Sequence, residues 1–214
     1  MANRPWITAR DLRATPDLEI PADAQLTPLA RDLVRARLAL GQGEAPRRAD
    51  AAGARREALI VANWKSYKTR AEAREFVAGL AASRSAARVG GAQLVVCPPF
   101  TALHALGEAV AEARISLELG AQDVSPHGEG AHTGEVAARH LVESGCRWVI
   151  VGHSERRYAG EDDALVGRKL QVALAADLQP ILCVGETLEE RKAGRAELVV
   201  SRQIELACAG VVGD

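Results

Sequence analysis

The feature that most constrains this chain is a fivefold alternation that begins at Ala58. Short apolar runs stand at 58–63 (ALIVAN), 93–97 (QLVVC), 115–121 (ISLELGA), 147–152 (RWVIVG) and 179–185 (QPILCVG). Each is followed by a stretch of helical period, over 70–87, 101–114, 134–144, 161–177 and 187–209. Short, β-branched, nearly all apolar runs suit a parallel sheet covered on both faces, and helices are the usual links between parallel strands. From Ala58 to Asp214 the spacing averages about 31 residues per unit, the size of one strand-helix-strand crossover. Five βα units are expected. Such a repeat builds either a (β/α)8 barrel or an open doubly wound sheet, and periodicity alone leaves both open. No Gly-x-Gly-x-x-Gly follows the first run and no Gly-x-x-x-x-Gly-Lys-Ser/Thr occurs, which weakens the reading as an open-sheet nucleotide binder.

Composition adds exclusions. Hydrophobic residues make up 48% and charged residues 26%, ordinary globular proportions that argue against disordered, fibrous and membrane classes. No run approaches the roughly 18 uninterrupted apolar residues of a membrane span. The start carries Asp11, Asp17, Glu19 and Asp23 and no apolar core of a signal, so a cytoplasmic protein is expected. Lys plus Arg number 27 against 28 for Asp plus Glu, leaving no basic excess to neutralise a nucleic-acid backbone. Cys97, Cys146, Cys183 and Cys208 are widely scattered, with no CxxC and no Cys/His cluster. They read as reduced core residues rather than bridges or metal ligands.

Residues 1–57 differ from the repeat. Leu18–Pro21 reads as extended, and Thr27-Pro28 as an N-cap followed by a proline at the first helical position, opening a helix to about Leu40. Gly41–Ala54, rich in Gly, Ala, Pro and Arg, reads as a linker. The division is an extension and linker over 1–57 and the repeat over 58–214. The extension serves either as a loosely docked appendage or as a docking peptide that presents the 27–40 helix.

In both architectures functional groups gather at the carboxyl ends of the strands. Those positions hold Asn63-Trp64-Lys65, Cys97-Pro98-Pro99-Phe100, Gly120-Ala121-Gln122-Asp123, Gly152-His153-Ser154-Glu155-Arg156-Arg157 and Cys183-Val184-Gly185-Glu186. Lys65, one of only four lysines, supplies a compact positive charge for an anionic substrate or an oxyanion, or is an ordinary surface lysine. His153 is a general acid or base, a donor to a carbonyl, or a satisfied core histidine. Ser154 is placed to cap the next helix, whose N-terminus favours a neutral imidazole at His153. Glu155 reads as the ion-pair partner of Lys65 before it reads as a base. His104 and His140 fall inside helical patterns, and His127 and His132 lie in the turn-rich loop 125–134, a connector or an interface element.

These residues carry a resemblance. Ala62-Asn-Trp-Lys65, Gly130-Ala-His-Thr-Gly-Glu135, Cys146-Arg-Trp-Val-Ile-Val-Gly-His-Ser-Glu-Arg-Arg157 and Ile181-Leu-Cys-Val-Gly-Glu186 with Glu190-Arg191 make the chain from Ala58 onward similar to triosephosphate isomerases. The resemblance implies a (β/α)8 barrel that interconverts dihydroxyacetone phosphate and glyceraldehyde 3-phosphate through an enediolate, as a homodimer and with no metal or organic cofactor. It implies that Asn63 and Lys65 bind substrate, that His153 is the neutral electrophile, that Glu155 orients Lys65, and that Thr133 reaches into a neighbouring subunit to support its Asn63.

The sequence also departs from the family. The run Tyr158–Glu161 is one residue shorter than the common spacing, His132 stands where an aromatic residue is frequent, and residues 1–57 have no counterpart. Eight units of this size need roughly 250 residues, and the family's glutamate base and phosphate-gripping loops belong to units after the fifth. Five of eight units, about 95 residues short of a barrel and inactive alone, is therefore the expectation. The alternative is a non-catalytic or split half-barrel that pairs with a complementary fragment.

Overall fold

In a computed structural model, residues 58–83 and 92–209 are described, together with a set of positions between Trp6 and Val34. Five strands alternate with helices: β1 Leu59–Asn63, β2 Gln93–Cys97, β3 Glu118–Ala121, β4 Cys146–Val151 and β5 Gln179–Leu182. They lie side by side in chain order, all parallel, as a sheet curled into part of a barrel. Of the two architectures open to the repeat, this is the (β/α)8 one, with five of its units present.

Strand alternation sorts the apolar residues between two layers. Val96, Val149 and Val151 point outward into the larger core with Leu106, Leu141, Val166 and Leu170 of the helices. Val95, Cys97, Trp148 and Ile150 point inward and form a smaller cluster with Val61, Ile181 and Cys183. The inward layer is the filling of a barrel. Its flanks are open: Leu59 and Ile60 on β1 are exposed, and every residue of β5 is only half-buried. Between β3 and β4 the register shifts at Leu119/Gly120.

Helices α1 (Arg70–Ala82), α2 (Phe100–Ala113), α3 (Ala138–Glu143), α4 (Ser154–Tyr158), α5 (Asp163–Ala175), α6 (Leu188–Lys192) and α7 (Ala196–Cys208) cover the outer face. Four of these helices, α1, α4, α5 and α6, start on a side-chain cap. Thr69 and Glu72 make a reciprocal capping box on α1, Thr187 and Glu190 another on α6, and Asp162 accepts from Leu165 N on α5. Several boundaries differ from the periodic reading, among them the end of the fifth strand at Leu182 and the end of α1 at Ala82. The segment 115–117 precedes its strand. The stretch 134–137 is an irregular approach to α3. The stretch 187–209 is two helices, because Gly194 takes a left-handed φ of 67° between them.

In the extension, Trp6–Ile7 pairs in parallel with Gln25–Leu26, while Leu18–Pro21 lies outside any ladder. Ile7, Leu12 and Ala30 are buried in a small cluster. Thr27 caps as expected, its Oγ1 accepting from Ala30 N at 3.2 Å, and its hydroxyl also donates to Asp177 Oδ2 at 3.0 Å, in the turn between α5 and β5. Most of the expected 27–40 helix and all of the 41–54 linker lie outside the described residues.

Candidate active site

Lys65 stands two residues past the β1 terminus in a left-handed conformation, φ 52°, uncommon for a residue with a Cβ. Its backbone is held at both ends. Lys65 N donates to Asn63 Oδ1 at 2.8 Å, and Lys65 O accepts from Gln122 Nε2 at 2.8 Å. The same Gln122 amide donates to Cys97 O at 2.9 Å, which also accepts from Trp64 N. Trp64 packs edge-on against Phe76 of α1, their ring centres 5.1 Å apart. This loop therefore lies across the ends of β1, β2 and β3.

Lys65 Nζ reaches across the mouth to Glu155 Oε1 at 2.8 Å, both side chains being about half exposed. The lysine holds the Glu155 carboxyl below the usual carboxylate range, chiefly through that hydrogen bond. His153, two residues past β4, is itself the cap of α4: its Nδ1 accepts from Glu155 N at 3.2 Å, so Ser154 is the first helical residue and not the cap. With Nδ1 accepting, the neutral ring carries its proton on Nε2 and has one donor to offer. Glu155 Oε2 lies 3.6 Å from Nδ1. His153 lines a cleft of about 490 Å³ at the ends of β4 and β5 with Gly152, Cys183, Gly185 and Glu186; Lys65 lies outside that lining.

Behind these groups a charged cluster braces the β4 loop. Lys169 on α5 is 2% exposed and holds Asp123 at 2.7 Å; it also bonds Glu161, which Arg156 Nε reaches at 2.7 Å. Burial raises the Asp123 carboxyl, opposed by Lys169. Arg157 straps the strand ends together, donating to Gly152 O at 2.8 Å and Cys183 O at 3.2 Å while pairing with Asp163 at 2.6 Å. Burial pushes the Cys97 and Cys146 thiols up to about 12, and all four cysteines are free.

The structure thus brings Lys65, Glu155 and His153 together and places Asn63 beneath Lys65, whereas Thr133 is exposed on the loop after β3. Gln122, Lys169 and Glu161 were not singled out as site residues in the sequence. One signal was available for Lys169, which shares a helix face with Val166, Leu170 and Ala173, all buried. For Gln122 nothing in the pattern distinguishes it from any polar residue after a strand. Among the described residues no three His, Cys, Asp or Glu side chains converge to hold a metal ion, and no helix is long and apolar enough to cross a membrane.

The sequence that builds this site has counterparts in known proteins. The Triosephosphate isomerase family model matches residues 58–213. The chain is 49% identical over 158 residues to the triosephosphate isomerase of Nitratidesulfovibrio vulgaris (strain DP4), covering 72% of this chain and 61% of that one. It is 49% identical over 160 residues to the enzyme of Roseiflexus sp. (strain RS-1), covering 74% and 61%, and 50% identical over 157 residues to that of Chloroflexus aurantiacus, covering 73% and 61%. The chain spans about three fifths of the length of these relatives. With its parallel strands in barrel order and the Lys65–Glu155–His153 arrangement at their carboxyl ends, the chain belongs to the triosephosphate isomerase family.

Proposed function

We propose that residues 58–214 supply the lysine and the electrophile of a site that interconverts dihydroxyacetone phosphate and glyceraldehyde 3-phosphate through an enediolate, without a metal or organic cofactor. The observation that carries this reading is the His153 geometry. Nδ1 is occupied by the Glu155 amide, so Nε2–H is the donor left for a substrate carbonyl. That donor polarises the carbonyl and can pass its proton between the two oxygens of the enediolate. Lys65 supplies positive charge where the phosphate and the enediolate carry negative charge, and Glu155 keeps that ammonium oriented. Asn63 acts by fixing the Lys65 loop and by contacting substrate.

A glutamate base and phosphate-gripping backbone are needed to complete this chemistry, and in our reading they come from strands beyond β5, outside these 214 residues. The open flanks of β1 and β5 are where those strands would pair. Thr133 then serves a homodimer by reaching toward the Asn63 of a neighbouring subunit, the extension over 1–57 is a separate appendage, and the protein works in the cytoplasm.

A coupled isomerase assay tests this. The purified chain alone is expected to show no turnover above background. Co-expression with the C-terminal strands of a 49%-identical relative is expected to restore turnover that Lys65→Ala removes. Full turnover by the chain alone would show that the base lies within it. No turnover in either preparation would leave the half-barrel as a non-catalytic module.

A further inference from the structure

Lys65, in a left-handed conformation, reaches across the mouth to Glu155, and the residue that bonds its backbone carbonyl sits 57 positions further along the chain. We infer that Gln122 is a positioning residue for Lys65, an amide clamp that locks the β1 loop onto the end of β2 so that the lysine meets its partner and, in the proposed site, the anionic substrate.

Three observations support this. The Gln122 amide spends both of its N–H donors, one on Lys65 O at 2.8 Å and one on Cys97 O at 2.9 Å, which leaves it no donor for a ligand. The carbonyl it grips belongs to a left-handed residue, φ 52°, whose N–H is already taken by Asn63 Oδ1 at 2.8 Å. Both polar ends of the Lys65 peptide backbone are therefore fixed by side chains and not by a strand ladder. The residue type also matters. Glutamate or methionine can make neither bond, and asparagine is a methylene too short to span both carbonyls. The clamp joins three strand ends, with Asn63 closing β1, Cys97 closing β2 and Gln122 following β3.

The functional weight of the clamp rests on the isomerase reading, but its geometry can be tested without turnover. Glu155 reports on whether Lys65 is in place, because that lysine holds its carboxyl low. Titration of carbon-13-labelled Glu155 by NMR in the full chain compares Gln122→Met, Gln122→Asn and Lys65→Met with the parent. The Glu155 midpoint is expected to rise furthest in Lys65→Met and part of the way in Gln122→Met, with the Lys65 amide resonance moving in the latter. The milder Gln122→Asn, which keeps the amide but is a methylene shorter and can retain at most one of the two bonds, is expected to fall between parent and Gln122→Met. Should either Gln122 variant fold and titrate as the parent does while Lys65→Met shifts, the clamp is refuted. In the complemented enzyme Gln122→Met is expected to lower kcat/KM at least tenfold, and an unchanged kcat/KM overturns the positioning role. An enzyme that never turns over would instead defeat the isomerase reading and leave the titration to decide the clamp.

Discussion

Lys65 and Glu155, 90 residues apart in the chain, meet at 2.8 Å across the mouth of the half-barrel. The pair is exposed, and an exposed ion pair contributes little to stability. Its value lies in geometry: one carboxylate oxygen fixes the ammonium, and the backbone N–H of the same glutamate fixes the imidazole of His153. One residue thereby orients both groups that would face a substrate. Glu155→Gln should leave unfolding nearly unchanged in urea. In the complemented enzyme it should lower turnover by at least tenfold, measured in the coupled assay.

Lys169 is a different kind of pair-former, because it is almost fully buried between Asp123 and Glu161. Replacing it with methionine leaves the buried Glu161 carboxylate beside the half-buried Asp123 carboxylate with only Arg156 to answer them, a loss of about 3–5 kcal/mol for a broken buried pair. Urea unfolding should show this as a lower midpoint at pH 7 that partly recovers at pH 5, where one carboxyl can take a proton. Lys169→Arg should retain more stability than the methionine variant.

Gly120 sits at the register shift of β3, where a Cβ would lie 2.4 Å from Cys97 Sγ and 3.1 Å from Val95 Cγ1. Gly120→Ala is expected to cost about 1–3 kcal/mol through overpacking. The double variant Gly120→Ala/Cys97→Ala should recover a measurable part of that loss in thermal unfolding, since it removes the nearest obstructing atom.

Acid should destabilise the fold through its lowered carboxyls. Glu72, Glu108, Glu155 and Glu190 each have a folded value held below the ordinary one, by Thr69, Arg74, Lys65 and Thr187 respectively. A lowered acid contributes stability that is present above its unfolded value, near 4.3, and lost as pH falls through the folded value. Asp123 has the opposite sign: burial raises it, so it favours the fold when protonated and opposes it as pH climbs. Unfolding midpoints should therefore fall between about pH 5 and pH 3. High salt should weaken only the part of the fall that Glu108 and Glu155 carry, because these two are held by exposed cations, Arg74 and Lys65, whereas Glu72 and Glu190 are held chiefly by hydrogen bonds from Thr69 and Thr187.

The thiols should sort by burial. Cys97 and Cys146, both buried and pushed up to about 12, should resist iodoacetamide in the folded protein at pH 8, while Cys183 and Cys208, half-buried, react first. Mass spectrometry of the alkylated peptides checks the order.

Much of this was legible in the chain. The period of about 31 residues and the apolar runs named all five strands, and the run ending in Gly-His-Ser-Glu-Arg-Arg marked the place where His153 and Glu155 would stand. Local chemistry was legible too: Thr69–Glu72 and Thr187–Glu190 are capping boxes written within four residues. Alternation within a strand even sorts Val95 from Val96 between the two faces.

Only the tertiary structure decided which distant groups would meet. Nothing near Gln122 in the chain points to Lys65, and nothing near Lys169 points to Asp123, 46 residues away. Curling a parallel sheet brings the ends of successive strands to one rim, so the contacts there depend on register and curvature, which no single segment encodes. The choice between open sheet and barrel was of the same kind. The repeat determined five βα units, and the choice of barrel order for the strands, with the loops stacked at one rim, was made by packing between those units.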